Sequence, residues 1–376
     1  MKRLLFALAF AFSALIFGAG HAVASASIHA FRHPGALNTS ENLNRVESEI
    51  SSNSQPWTGA LADVVLKAKS AGPAIVTLDA GDRDQAALSE ADAVNAYANA
   101  LAWRLTGNKT YFRQASGVLS NLAHFQGFTG GTDQDKLHAG WVGVLYGEAA
   151  EIMRSSADFR HEDITALQLM FRRAFYPQLM TPSSWNGNVD LTQINALMTL
   201  AVFNDDEVAF KLGLERLDAR LATYIHVKSE PDIAPIVGDG GNLQSFWFNP
   251  VEWVDGLTQE TCRDNGHHAQ FGMASALNAA EIAWNQGVDV YGKHEARLVP
   301  AMELLAKQLL TGDMQGVCRQ SKSSTTLFNT FEVGFHHYHH RMGLPLPNSE
   351  KLIVQRIRTD GQSVLNIFHE TLTHAR

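Results

Sequence analysis

The chain has 376 residues, a formal net charge of −8 at pH 7 and a hydrophobic fraction of 45%. This acidic balance argues against the broad basic surface of a nucleic-acid-binding protein, although an acidic protein can still line a local cleft with basic side chains. A chain of this length exceeds the ~150 residues of a typical domain, but helical toroids and barrels use such a length as a single unit. We therefore expect one large domain.

The N-terminal segment has the pattern of an export signal. Lys2 and Arg3 precede an apolar run, and Ala22 and Ala24 frame a cleavage site of small residues. We therefore expect residues 1–24 to be a signal peptide, residues 25–376 to form a single domain, and the mature protein to be periplasmic or secreted. No later stretch approaches the ~18–20 apolar residues of a membrane span, so we expect no membrane insertion once the signal is removed.

Two cysteines are present, Cys262 and Cys318. In an oxidising compartment an even pair favours a disulfide over two free thiols, and a cysteine nucleophile is the weaker interpretation. Whether the two residues approach within bonding distance depends on the fold.

Beyond the signal, the chain has the pattern of successive helices. A loop runs into a first helix near residues 41–51. The segment DAVNAYANALAWRLTG, from Asp92, places apolar residues at helical spacing and stops at Gly107 and Asn108. The segment TYFRQASGVLSNLAHF repeats the pattern, which predicts a helical hairpin. Further helices are predicted at residues 141–154, 164–180, 191–203, 207–225, 269–284 and 295–310, with a last helix in the tail from Asp360.

No stretch of useful length shows the period-two alternation of a β-sheet. Short turns of Gly, Asn or Asp between the helices indicate antiparallel pairs, which could close into a ring or stack as a solenoid. The segments share no fixed repeat length, which argues against an open solenoid. Long loops at residues 129–136, 229–249 and 311–326 are expected to be rims or lids of a cleft.

Three polar clusters lie at predicted helix boundaries, where side chains and free backbone N–H groups can face a cleft. The first, SSWNGNVDLTQINALM, contains Trp185, Asn186, Asn188 and Gln193 around the start of an apolar helix. Amides and a tryptophan together suit the wall of a sugar-binding site. The simpler interpretation is a turn of asparagines followed by an N-cap at Asp190.

The second cluster, QETCRDNGHHAQFG, precedes another apolar helix. Arg263 could hold a carboxylate through two hydrogen bonds, and His267 could exchange a proton near neutral pH. The alternative for His267 is a helix-capping role. Glu260 and Asp264 could instead serve an inverting glycosidase, which depends on their separation in space.

The third cluster is FHHYHHRMG, residues 335–343. In an α-helix Tyr338 shares a face with Arg341, three positions further on, so the two could act together. The alternatives are a packed tyrosine and an arginine that complements the helix dipole. His336 and His340 could bind zinc, but the glutamate of a metalloprotease helix is absent between them and a catalytic zinc needs a third ligand. We therefore expect no metal.

Other chemistries lack a motif. The chain contains no G-x-S-x-G, no P-loop and no dinucleotide-binding fingerprint. The sequence therefore does not support a serine hydrolase, a nucleotide-binding protein or a Rossmann enzyme.

Several segments together resemble the alginate lyase family of polysaccharide lyases. They are HPGALNT at His33, NAYANALAWRLTGN at Asn95, WNGNVDLTQINALM at Trp185, QETCRDNGHHAQFG at Gln259, AAEIAWNQGVDVYG at Ala279 and HHYHHRMGLPLPN at His336. The resemblance runs from about His33 to Asn348. The chain lacks the Asn-Asn-His-Ser-Tyr-Trp block of the periplasmic mannuronate lyases, so it looks like a distant branch that acts on alginate or on glucuronic-acid polymers.

The resemblance implies an all-α fold, an (α/α) toroid or incomplete α/α barrel built from antiparallel helical hairpins. It also implies cleavage of an anionic polysaccharide by β-elimination, without a cofactor. That reaction needs a group that neutralises the uronate carboxylate, a base that removes the C-5 proton and an acid that protonates the departing O-4. A glycoside hydrolase on a similar toroid and a noncatalytic polyuronate-binding protein are the alternatives.

Roles are transferred by position in the matching blocks. Asn188 is expected to neutralise the carboxylate, His267 to be its partner or the general base, and Tyr338 to be the proton donor. Tyr291 and Tyr146 are the alternatives for the tyrosine. The residues expected to bind substrate are Trp185, Gln193, Arg263, His268 and Arg341.

Overall fold

The computed structural model describes residues 30–185, 187–230, 242–320 and 322–376. The predicted signal peptide, Asn186 and most of the predicted loop at 229–249 lie outside these residues. The fold is all-α, an (α/α) toroid, which confirms the predicted class. Among the described helices, none combines the length and the apolar character that crossing a membrane requires.

In the first half of the described chain, the helices are α1 (Ser40–Ser51), α2 (Trp57–Lys67), α3 (Arg83–Thr106), α4 (Lys109–Leu122), α5 (Asp133–Arg154), α6 (His161–Met170), α7 (Tyr176–Leu179) and α8 (Gly187–Phe203). A π-helical segment, Phe171–Phe175, joins α6 to α7. Two short strands, β1 (Thr77–Leu78) and β2 (Gly127–Phe128), form a parallel pair.

In the second half, the helices are α9 (Glu207–Tyr224), α10 (Leu243–Phe246), α11 (Thr261–Asp264), α12 (His268–Asn285), α13 (Val290–Lys293), α14 (Glu295–Thr311), α15 (Glu332–Phe335), α16 (Pro347–Leu352), α17 (Arg358–Asp360) and α18 (Glu370–His374). Two further π-helical segments are His336–Arg341 and Ile353–Ile357. The long predicted helices are present, whereas the tail helix begins at Glu370, ten residues later than predicted.

The predicted hairpin of α3 and α4 has clear local signals. Asp82 caps α3 by accepting hydrogen bonds from the backbone N–H groups of Asp84 and Gln85. Gly107 ends the helix with a left-handed backbone, at φ 68°, which glycine adopts without steric cost. Asn108 then caps α4. Stop and start signals on adjacent residues turn the chain back on itself.

Helix α8 lies inside the ring, since every residue from Gly187 to Phe203 is buried. A helix covered on all sides is expected to lack a polar face. Helix α5 packs along one side of α8 and α12 along another, while α9 follows α8 through a short turn and packs against it. Because three helices pack around α8, the residues at its two ends are held in fixed positions.

Helices α5 and α8 run in the same direction. A Cβ atom on Gly140 would lie 2.7 Å from the Thr192 side chain, and one on Gly147 would lie 2.6 Å from the Thr199 side chain. The contacts advance in the same direction along both helices, from 140 to 147 on α5 and from 192 to 199 on α8, which requires a parallel arrangement. Backbone N–H groups at the start of both helices therefore face the same end of the toroid.

Candidate active site

The first two polar clusters meet where α8 and α12 begin. Asn188 lies in the first turn of α8, and its nearest partner in the second cluster, Glu260, is 72 residues further along the chain. Arg263 lies on α11, and His267 immediately precedes α12. Helix N-termini present unpaired N–H groups and a positive dipole end, which favour an anionic ligand.

Glu260 lies at the centre of this meeting point and is fully buried. One carboxylate oxygen accepts from the Asn188 amide nitrogen at 2.6 Å and from Arg263 Nη1 at 3.1 Å. The other accepts from the Asn188 backbone N–H and from the Tyr224 hydroxyl, each at 3.1 Å. Burial raises the pKa of Glu260, while its bonds to Asn188, Arg263 and Tyr224 oppose that rise.

Tyr224, the last residue of α9, passes between the starts of α8 and α12. A Cβ atom on Gly187 would lie 2.2 Å from its ring, and a Cβ atom on Gly272 would lie 2.1 Å from its hydroxyl oxygen. Neither position can carry a side chain while the ring occupies this place. Two glycines therefore let one tyrosine reach Glu260 from behind the cleft.

The two histidines of the second cluster form the more accessible part of the site. The His267 ring is exposed on one side and packs on the other against Phe271 and Phe328, at centroid distances of 4.8 and 5.5 Å. Burial lowers the pKa of His267, and the positive charge of Arg263 adds to that effect against the opposing charge of Asp264. The imidazole is therefore neutral near pH 7 and can accept a proton.

His268 stacks on His267 at a centroid distance of 4.9 Å and lies 3.4 Å from a carboxylate oxygen of Asp264. Burial lowers its pKa, and the charges of Arg263 and His267 act in the same direction. A neutral imidazole with 31% of its side chain exposed can form a hydrogen bond with a sugar hydroxyl.

The loop that follows α14 completes the wall beside His267. Gln270 donates to the main-chain oxygen of Thr326 at 3.0 Å and accepts from the Phe328 N–H at 3.1 Å. Trp141, on α5, packs against Phe271 at 6.1 Å. An aromatic wall therefore runs from α5 to this loop, and such surfaces suit the apolar faces of sugar rings.

Cys262 and Cys318 form a disulfide with a Cα–Cα distance of 5.2 Å, so the two residues do come within bonding distance. Cys262 is adjacent to Arg263 on α11. Gln320 also donates to the Cys262 main-chain oxygen at 2.7 Å. The short helix that carries Arg263 is thus attached to the loop after α14 by one covalent bond and one hydrogen bond.

Trp185 and Gln193 have different environments. Trp185 is 42% exposed and precedes α8, where it can contact a ligand. Gln193 is fully buried: its oxygen accepts from the Ser183 N–H at 3.0 Å, and its nitrogen donates to main-chain oxygens of Gln178 and Thr181. The expectation that Gln193 binds substrate is wrong, because its amide supports the loop before α8 instead.

The expectation that Tyr338 is the proton donor of this site is also wrong. Its side chain is 1% exposed, and its hydroxyl donates to the main-chain oxygen of Tyr291 at 3.0 Å. Burial raises the pKa of Tyr338 above its usual value. Tyr291 follows the C-terminal end of α12, whereas His267 precedes its first residue, so Tyr338 lies at the opposite end of that helix.

Arg341 is likewise distant from the site. Its guanidinium donates to both carboxylate oxygens of Glu281, at 2.6 and 2.8 Å, and lies over the Trp284 ring. Glu281 is about 20 Å along α12 from His267 at 1.5 Å per residue. The expected contact between Arg341 and a substrate carboxylate in this cleft is therefore incorrect.

The remaining tyrosines do not replace Tyr338. Of the seven in the chain, all lie among the described residues, and six are buried. Tyr146 donates to Asp92 at 3.0 Å and Tyr291 donates to the main-chain oxygen of Leu277, so both alternatives are occupied inside the fold. Tyr111, which is partly exposed, lies in the first turn of α4, away from α12.

The histidines of the third cluster do not converge on one point. The rings of His336 and His340 are 6.1 Å apart, and His336 Nδ1 lies 3.0 Å from the main-chain oxygen of His374. Across the described ranges, no group of three or more His, Cys, Asp or Glu side chains is arranged to hold a metal ion.

Tyr224 and Glu260 contribute to the site beyond what their positions in the sequence indicated. In the sequence, Glu260 is one acidic residue in a polar segment, and nothing in that segment indicates that its side chain is buried. The sequence contains only a weak indication of the role of Tyr224. Gly187 and Gly272 lie near the starts of two apolar helices, and glycine at such a position allows another group to approach the helix backbone closely.

Comparison with known proteins supports the architecture. No protein-family model and no curated protein sequence matches this chain. Among solved structures, a histidine-to-alanine variant of alginate lyase A1-III complexed with a tetrasaccharide superposes with a TM-score of 0.63 at 13% identity, covering 93% of this chain and 97% of that chain. Alginate lyase A1-III from Sphingomonas species A1 gives a TM-score of 0.58 at 14% identity, covering 84% and 91%.

An alginate lyase from Bacteroides ovatus gives a TM-score of 0.51 at 14% identity, covering 74% of this chain and 84% of that chain. At such low identities these similarities show a shared fold, the alginate lyase-like (α/α) toroid.

Proposed function

We propose that this protein is a polysaccharide lyase that cleaves a uronic-acid polymer, alginate or glucuronan, by β-elimination. The observation that carries the proposal is the meeting of Asn188, Arg263 and His267 at the N-terminal ends of α8 and α12. This is the combination of amide, guanidinium and neutral imidazole that the reaction requires. The toroid shared with alginate lyases, one of which binds a tetrasaccharide, supports the same class of reaction.

Each group has a role in the proposed reaction. Arg263 and Asn188 neutralise the substrate carboxylate, which makes the C-5 proton more acidic. The neutral His267 removes that proton, the electron pair forms the C-4 to C-5 double bond, and the bond from C-4 to O-4 breaks. The lowered pKa of His267 makes its protonated form a stronger acid, so the same imidazolium can return the proton to O-4.

The substrate follows from the walls of the cleft. Trp185 is exposed just before α8, His268 is partly exposed at the start of α12, and the aromatic wall includes Trp141 on α5. A chain of sugar rings with one carboxylate each matches this mixture of aromatic surface and positive charge. The proposal includes export, with residues 25–376 acting as one catalytic domain after removal of residues 1–24.

The test is incubation of the purified mature protein with alginate, polyglucuronate and other polyuronates. A lyase generates an unsaturated uronate end, which absorbs in the ultraviolet, in step with new reducing ends. New reducing ends without that absorbance would instead indicate a hydrolase. Binding without either product would indicate a polyuronate-binding protein, and either of these outcomes overturns the proposal.

The structure offers little support for the hydrolase alternative built on Glu260 and Asp264. Glu260 is fully buried and is enclosed by Asn188, Tyr224 and Arg263, so its carboxylate cannot contact a glycosidic oxygen. An inverting glycosidase needs both carboxyl groups at the scissile bond.

A further inference from the structure

Glu260 contacts both of the residues assigned to carboxylate neutralisation. Its two oxygens receive hydrogen bonds from the Asn188 side chain, the Asn188 backbone, the Tyr224 hydroxyl and the Arg263 guanidinium. The donors come from the start of α8, from Tyr224 at the end of α9 and from α11. A single buried side chain therefore connects α8, α9 and α11.

The four partners favour the ionised state of this carboxyl group, against the effect of burial, which raises its pKa. All of them can donate, and the arginine and the amide nitrogens have no capacity to accept a proton from Glu260. An ionised carboxylate accepts all four bonds, whereas a protonated one keeps the three bonds from nitrogen only by donating its own hydrogen to Tyr224, whose hydroxyl would then accept. The charge also balances that of Arg263, whose side chain is 31% exposed toward the cleft.

The contacts restrict how the two neutralising groups can move. One hydrogen of the Asn188 amide is directed to Glu260, which determines the orientation of the amide plane. The planar guanidinium of Arg263 is held at Nη1 and lies over the Phe248 ring at 5.4 Å, so its remaining N–H groups have a defined direction. Groups that are already oriented need no reorganisation when charge develops on the substrate.

We propose that Glu260 is a positioning residue, whose buried carboxylate holds the Asn188 amide and the Arg263 guanidinium as one preorganised unit for the substrate carboxylate. Glu260 does not touch substrate itself. This inference rests on the proposed lyase function, since it assigns Glu260 a task in that reaction.

The chain supplies a matched control at the other end of α12. Glu281 is also buried, and it also pairs with an arginine, through two hydrogen bonds to Arg341. Replacing either glutamate by glutamine leaves an arginine without its countercharge and keeps the side-chain shape. A purely structural role predicts the same consequences for both variants, whereas a positioning role predicts a difference in turnover.

The experiment compares Glu260→Gln, Glu260→Asp and Glu281→Gln by thermal denaturation and by steady-state kinetics on the best polyuronate. We expect both glutamine variants to melt at lower temperature than the wild type. Glu260→Gln should lose about 100-fold in kcat, the scale on which a small misplacement of reacting groups acts. Glu281→Gln should keep kcat within about twofold, and Glu260→Asp should recover part of the loss because it retains the carboxylate.

A second measurement is the pH dependence of kcat/KM. Removing the charge of Glu260 leaves Arg263 uncompensated beside His267 and His268, so the acidic limb of the profile should move to lower pH in Glu260→Gln and remain in place in Glu281→Gln. Equal kcat and equal profiles in the two variants would overturn the positioning role. Failure of the lyase proposal is a separate result, since it shows in the wild type as absence of the unsaturated product.

Discussion

Replacing Tyr338 by phenylalanine distinguishes two roles for this residue. The sequence predicts a catalytic proton donor, whereas the structure shows a buried side chain. The hydroxyl of Tyr338 makes one hydrogen bond, to the main-chain oxygen of Tyr291 at 3.0 Å, and its side chain is 1% exposed. Loss of a buried hydrogen bond of this kind costs about 1–2 kcal/mol of unfolding free energy. A general acid at the reacting centre contributes about 100- to 10,000-fold to the rate.

The structure therefore predicts that Tyr338→Phe lowers the stability of the protein and leaves kcat within about twofold, since the removed hydroxyl lies at the far end of α12 from His267. For a protein of this size the melting temperature should fall by no more than about 2–4 °C per kcal/mol. Initial rates of unsaturated-product formation and a thermal melt on the same preparation provide both quantities. A loss of kcat beyond about 100-fold with an unchanged melting temperature would refute the placement of Tyr338 outside the site.

Three further changes test other parts of the structure. His267→Ala should lower kcat by about 100-fold or more. In the wild type, burial lowers the pKa of His267 below 6.5, so the rate should stay high at neutral pH and fall on acidification as the imidazole becomes protonated. A rate that rises on acidification contradicts the role of His267 as base. Gly272→Ala should lower the unfolding free energy by about 1–3 kcal/mol, because the new Cβ would lie 2.1 Å from the Tyr224 hydroxyl oxygen. Gly117→Ala on α4 is its control, since a Cβ there meets only Ala71 at 3.4 Å, and denaturant titration of both variants distinguishes the steric effect from helix propensity. Joint replacement of Cys262 and Cys318 by serine should lower the unfolding free energy by about 4 kcal/mol, from the chain-entropy description of a cross-link across 56 residues. Thermal melts of the serine variant, and of the wild type with and without a reductant, measure this loss. An unchanged melting temperature in both the variant and the reduced wild type contradicts a contribution of the disulfide to stability.

Helix boundaries were the part of the fold most accessible to prediction, because their signals are local. Gly107 at the end of α3 was identified and acts through backbone angles within a few residues, whereas the start of that helix, expected at Asp92, lies at Arg83 after the cap Asp82. The tail from Asp360 lacks such signals. The last helix was expected to begin at Asp360, but it begins at Glu370, so the predicted helix was too long.

The candidate site was predicted in part. The clusters around Asn188 and around His267 were recognised, and the structure brings them together through Glu260. Gln193 was misassigned because an amide at a helix start has the same sequence signature whether it faces a ligand or the backbone of a neighbouring loop. Burial decides between these cases, and burial depends on residues far away in the chain.

The third cluster shows why helical spacing alone was insufficient. Tyr338 and Arg341 were expected to share a face of an α-helix, but residues His336–Arg341 form a π-helical segment. In such a segment the hydrogen bonds run from i to i+5, so residues three positions apart no longer align. Tyr338 then packs beneath Tyr291, and Arg341 reaches Glu281.

The sequence by itself determined the all-α class and the C-terminal ends of the long helices, because periodicity and capping act over a few residues; α3 and α5 begin at Arg83 and Asp133, nine and eight residues before the predicted starts. It also indicated that two cysteines could pair and that amides, an arginine and histidines gather at helix boundaries. The tertiary structure alone decided which boundaries share one end of the toroid. It placed Glu260 and Tyr224 beneath Asn188 and Arg263 and moved Tyr338 to the far end of α12, since long-range packing sets which polar groups meet and which are buried apart.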